Sequence, residues 1–148
     1  MIARRPVTKA LAVLLEDTTG KPCGIGNLPR SPAGPLPPPY TVLHPIRWSV
    51  EGAPFTDRGE DASAVYQAVM VAETTEQAEW LADRARAGVL ERESATGRWR
   101  YPLALPAGVT CRARGIEVDA GTEPVPGDGI VSYMIRFRFD FTGRTPQL

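Results

Sequence analysis

"SAVYQAVMVAETTEQAEWLADRARAGVLER", residues 63–92, is the stretch on which the fold turns. Its first ten residues are apolar on both sides of an extended chain. Val65, Val69 and Val71 alternate on one side, and Ala64, Tyr66, Ala68 and Met70 on the other. A strand patterned this way is covered on both sides and belongs in the middle of a sheet. Thr74 then stands three residues before Gln77. That is the spacing of a capping box, in which hydroxyl and amide satisfy free N–H groups at a helix start. Ala78, Leu81, Ala82, Ala85 and Val89 follow at helical spacing as a buried stripe, and Glu79 and Asp83 mark a solvated face. Removing the cap, Thr74→Ala, is expected to cost about 1 kcal/mol. The turn between strand and helix, "AETTEQ", lacks the glycines that let a backbone approach a phosphate. Glu73, Glu76 and Glu79 would also repel an anion there, so the turn reads as architectural.

Upstream, Val7, Ala10, Leu11 and Leu14 predict a helix over residues 5–17, with Pro6 tolerated in its first turn and Gly20 just past its end. Residues 20–39 hold seven prolines and read as an arm or long loop, neither helix nor central strand. "YTVLHPIRW", residues 40–48, predicts a short strand in which Pro45 marks an edge, a bulge or an end. A polar loop, "EGAPFTDRGEDAS", leads into the opening strand. Downstream, "IVSYMIRFRFDF" alternates cleanly, with Val131, Tyr133, Ile135, Phe137, Phe139 and Phe141 on one face. "VTCRARGIEVDA" changes phase near Gly115, which predicts a bulge at Gly115–Ile116. The two segments are joined by the turn-rich "EPVPGDG" and read as an antiparallel hairpin. The order α-β-β-α-β-β predicts an α+β domain: a four-stranded, mostly antiparallel sheet with two helices on one face and long loops.

A chain of 148 residues supplies one core, so residues 1–148 form a single domain. The formal net charge is zero, which gives no long-range field to recruit nucleic acid or an anionic membrane. Of the 17 basic residues only Lys9 and Lys21 are lysines, a bias that fits a GC-rich genome as well as an interface built on arginine forks. Cys23 and Cys111 form neither a zinc pattern nor a CxxC pair, so two free thiols in a reducing cytoplasm are expected. Glu16 and Asp17 interrupt the N-terminal apolar run, and no segment approaches the roughly 20 apolar residues of a membrane span. A soluble chain, intracellular at synthesis, is the expectation.

Catalytic signatures are missing from the sequence: there is no GxSxG, Walker loop or HExxH. His44 is the only histidine, and a lone strand histidine is more often structural than catalytic. The acidic run "DRGED", residues 57–61, lacks the spacing of a calcium loop and reads as solvated. No catalytic, cofactor or metal residue is therefore assigned. Arg112, Arg114, Arg136 and Arg138 repeat at period two on the last two strands and predict an arginine-bearing outer sheet face. That face is either solvated with alternating charge or a protein contact surface. Trp48, Trp99 and Tyr101 sit in or beside loops, where aromatic side chains anchor interfaces or close the edge of a core.

Taken together, "RPVTKALAVLLED", "PPPYTVLHPI", "EDASAVYQAV" and "QAEWLADRAR", with the closing hairpin, resemble the tail terminator (tail-completion) proteins of long-tailed bacteriophages. The resemblance extends over nearly the whole chain but carries no catalytic signature. It implies a small α+β virion subunit that assembles with itself into a ring, commonly a hexamer. Such a ring caps the tail tube and joins it to the head-completion or connector proteins, and DNA passes through it without sequence-specific binding. It implies a place in the virion neck, host cytoplasm during assembly, and no membrane or cofactor. On this reading Arg112, Arg114, Arg136 and Arg138 would meet acidic loop residues such as Glu60 and Asp61 of a neighbouring subunit, with Trp99 and Tyr101 as anchors. Another head–tail joining protein, or a small ligand-binding or enzymatic domain using His44 and the acidic loop, are the alternatives.

Overall fold

The computed structural model describes residues 2–52, 59–125 and 129–144. In chain order the elements are α1 (Arg4–Thr19), β1 (Cys23–Ile25), β2 (Arg30–Ser31), β3 (Gly34–Pro35), β4 (Tyr40–Gly52), β5 (Gly59–Ala72), α2 (Thr75–Leu90), β6 (Val109–Val125) and β7 (Ile130–Arg144). The fold is α+β, with a five-stranded sheet in the order β1-β4-β5-β7-β6 and a separate β2–β3 hairpin. The strand of residues 63–72 is central, since β5 pairs antiparallel with both β4 and β7.

Residues 20–39 correct the four-strand expectation. They contribute a fifth strand, β1, paired parallel to β4 through Cys23↔Thr41, Gly24↔Val42 and Ile25↔Leu43. They also form the small hairpin. Three residues between a proline and the next turn carry too little alternation to register as a strand. Gly24 is required there, because a Cβ would lie 2.0 Å from the Asn27 carbonyl oxygen. β4 is longer than predicted, and its register shifts between Pro45 and Arg47. The pairing of β1 with β4 ends at Leu43, so Pro45, two residues on, lies where a missing N–H costs no ladder bond.

One face of the sheet and both helices share the core. β7 presents Ile135, Phe137, Phe139 and Phe141, and β5 presents Ala64, Tyr66, Ala68 and Met70, all fully or almost fully buried. Large faces small across the ladder: Phe141 is paired with Ala62, Phe139 with Ala64 and Ile135 with Ala68. The alanines leave room for the helices, and the aromatic rings fill the space beside them. α2 buries the predicted stripe of Ala78, Leu81, Ala82, Ala85 and Val89. Tyr66 is the exception to the small residues of β5, and its hydroxyl is bonded to Thr8 Oγ1 of α1 at 2.8 Å.

The predicted cap holds. The Gln77 amide donates to Thr74 Oγ1 at 3.1 Å, while Gln77 Oε1 accepts from the Glu73 amide, one residue before the cap. Where the helices meet, Gly88 of α2 sits against Thr18 of α1, so closely that a Cβ would fall 2.5 Å from Thr18 Oγ1. Arg84 Nε donates to the Thr18 carbonyl at 3.1 Å, placing a cation at the C-terminal end of α1, where the helix dipole favours one.

Candidate interaction surface

The side of the sheet opposite the helices carries three of the four predicted arginines. β6 follows the register of β7 with slips between Cys111 and Ala113, between Ile116 and Val118, and between Asp119 and Gly121. The single bulge expected at Gly115–Ile116 is thus replaced by three, with Arg112, Glu117 and Ala120 as the extra residues. The first slip has a consequence for the surface. Arg114 pairs with Phe139, whose side chain lies in the core, whereas Gly115 pairs with Arg138. Arg114 therefore faces the helices and leaves the arginine-bearing face that sequence alternation gave it.

The remaining arginines have partners within the chain. Arg138 lies 3.6 Å from Asp140, which also accepts a 2.6 Å hydrogen bond from Ser63. Arg112 lies 3.8 Å from Asp61, which accepts from Thr142 Oγ1 at 2.9 Å. Arg136 donates to the neutral Gln67 Oε1 at 3.0 Å. Arg47, which sequence reasoning passed over, spans the face to within 3.9 Å of Glu117. The ion pairs are long and solvated, so each is worth little by itself. Glu60 and Asp61 belong to strand β5 and not to a loop, and the Glu60 carboxylate accepts from the Ile2 amide at 3.0 Å. Residues 57 and 58 of the acidic run lie outside the described residues. Beside the arginines the same face holds a small apolar cluster of Tyr40, Val42 and Val71, with Val69 and Ile130 packed on it.

Arg114, turned inward, organises the segment between α2 and β6. Its guanidinium donates to the carbonyls of Val89 at 3.3 Å and Tyr101 at 2.9 Å. It lies 4.7 Å from the centre of the Trp99 ring, whose other cation, Arg92, lies at 3.9 Å. One arginine thus satisfies a carbonyl at the end of α2 and fixes Trp99 and Tyr101, both half-buried. Burial holds the Arg114 pKa below its ordinary value, and its Nε is buried without a hydrogen-bond partner. Trp99 and Tyr101 are therefore both tied to their own chain. Trp48 stacks on Phe141 with centroids 6.1 Å apart.

A polar cluster escaped the sequence reading. Arg86 binds Asp83, Asp119 Oδ2 and the Tyr133 hydroxyl, and that hydroxyl donates to Asp119 Oδ1 at 2.5 Å. Asp83 and Arg86 are three residues apart on one helix, a pattern that flags a pair, but the Asp119 contact depends on the β6 bulges. Trp80, also passed over, is 48% exposed on α2 with Arg84 above its ring.

Both cysteines are free thiols. Burial, aided by Glu16, pushes the Cys23 thiol up to about 12, and burial raises Cys111 as well. Such thiols are poor nucleophiles at neutral pH. Among the described residues there is no group of three or more metal-ligating side chains, and no helix is long and apolar enough to cross a membrane. No protein-family model matches the chain, and no curated protein matches it.

Proposed function

We propose that this chain is a structural subunit of the tail terminator kind, forming a ring that caps a phage tail tube and joins it to the head-completion complex. The observation that carries the reading is the sheet face left open by the helices. It combines a small apolar cluster with Arg112, Arg136 and Arg138, which lie beside Asp61, Gln67 and Asp140. Arginines set around apolar residues fit the composition of a protein-contact surface. The sequence resemblance supplies the identity of the assembly. On this reading the uncovered face meets the adjoining component of the neck, and no chemistry is performed.

Capping of purified tail tubes, read by electron microscopy together with light-scattering mass across a concentration series, tests the proposal. The wild-type chain is expected to form a discrete ring, free or on the tube tip, and Arg136→Glu with Arg138→Glu to abolish tube capping. A chain that neither self-associates nor binds tubes refutes it.

A further inference from the structure

Among the charges without an ion-pair partner, two groups of like sign stand out, one at the start of each helix. Arg4, Arg5 and Lys9 are exposed on the first turns of α1. Glu73, Glu76 and Glu79 are exposed at the start of α2. Among the described residues none of these six has an ion-pair partner.

The two starts lie far apart. The Ile2 amide, just before α1, is bonded to Glu60 at the beginning of β5. The chain leaving α1 reaches the other end of that strand, because Pro22 accepts from the Thr41 amide and Thr41 is paired with Met70. α2 begins three residues after Ala72, and its second half meets the end of α1, with Gly88 against Thr18 and Arg84 bonded to the Thr18 carbonyl. The helices thus meet near their C-terminal ends, and their starts, one basic and one acidic, lie away from that contact.

The acidic end explains itself in part, since carboxylates are favoured at a helix N-terminus. The basic end does not. Arg4 and Arg5 occupy a first turn that holds no acidic residue, against the helix dipole. A local rule broken without a compensating contact inside the subunit is the mark of a residue used elsewhere. The exposed apolar side chains of this layer are Trp80, beside the carboxylates, and Val13, one turn beyond Lys9. An exposed tryptophan ringed by charge has the composition of an interface anchor.

We infer that the acidic start of α2, with Trp80 at its centre, docks on the basic start of α1 of a second copy of this chain. The inference rests on the ring reading and names its subunit contact. Two different patches at opposite ends of one molecule make a head-to-tail contact, which closes into a ring if the rotation allows. It also leaves the open sheet face for the adjoining component. The match of unpaired cations to unpaired carboxylates is what selects a second copy as the occupant.

The test places a photo-activated benzoylphenylalanine at position 80, an exposed site, in the assembled wild-type background, either free rings or capped tubes. Cross-linked peptides are expected to contain residues 2–13 of another copy. In parallel, Arg5→Glu with Lys9→Glu is expected to weaken self-association at least tenfold, and adding Glu76→Lys with Glu79→Lys to restore it. An assembly that forms normally in the first variant, or that cross-links elsewhere, overturns this contact and leaves the ring reading standing. A wild-type chain that neither assembles nor caps tubes removes both.

Discussion

Arg112 and Arg114 differ by two positions and, by strand alternation, should be equivalent; the structure makes them opposite in consequence. Replacing Arg114 by methionine keeps most of the aliphatic stem and removes the cation. The loss comprises two charge-assisted hydrogen bonds to carbonyls, about 1.5 kcal/mol each at the low end. It also includes a ring contact worth about 0.5–1 kcal/mol at a partly exposed site. Against this stands relief of a half-buried cation whose Nε has no partner, worth about 1–2 kcal/mol. The balance is a destabilisation of about 2 kcal/mol, or a fall in the urea midpoint of about 1 M for a typical slope. Arg112→Met removes only a solvated 3.8 Å ion pair and should cost about 0–0.5 kcal/mol. Lysine at 114 keeps the charge but not the planar fork, so it should fall between wild type and methionine. Equilibrium urea unfolding of the three variants, followed by tryptophan fluorescence and far-UV dichroism, reads all of these values. Equal losses at 112 and 114, or an Arg114→Met variant within 0.5 kcal/mol of wild type, would refute the inward placement of Arg114 and with it the bulge at Arg112.

Gly88→Ala should destabilise the fold by about 1–3 kcal/mol although alanine is the better helix former, because the new methyl group meets a Thr18 side chain held to Leu14. Adding Thr18→Ala should recover most of that loss in thermal melts; a stabilised single variant would mean the helices are not in this close contact. Alkaline pH gives the other prediction. The Cys23 thiol has its pKa raised from 9.0 to about 12 in the folded chain, so the folded state holds its proton more tightly than the unfolded one. Its contribution is complete below pH 9 and is lost as pH rises from there towards 12. Stability should therefore fall in that window, and Cys23→Ala should lessen the slope by up to about 1.4 kcal/mol per pH unit. An unchanged slope in urea titrations at pH 9–11 would show the thiol to be solvated.

How much of this was legible in the sequence depended on whether a signal was local or depended on register. The Thr74 cap, the α2 stripe and the aromatic ladder of β7 were readable because each is written in residues a few positions apart. β1 was not, since three residues cannot display a period, and its pairing comes from the neighbour β4. The face carried by β6 was unreadable for a different reason. Its apparent alternation through Arg112 and Arg114 runs across a bulge, and a bulge spends one residue without turning the partner strand. The side chains from there to the next slip change sides relative to the simple count. A further slip at Glu117 then separates Ile116, paired opposite Phe137, from Val118, paired opposite Arg136. The arginine surface is thus set by backbone choices that leave only a weak mark in composition. The same slips disrupt the ladder on the sheet's β6 edge, and bulged edges resist pairing with other strands. A ring of these subunits would accordingly be joined through side-chain surfaces such as the helix ends, not by extending the sheet through β6.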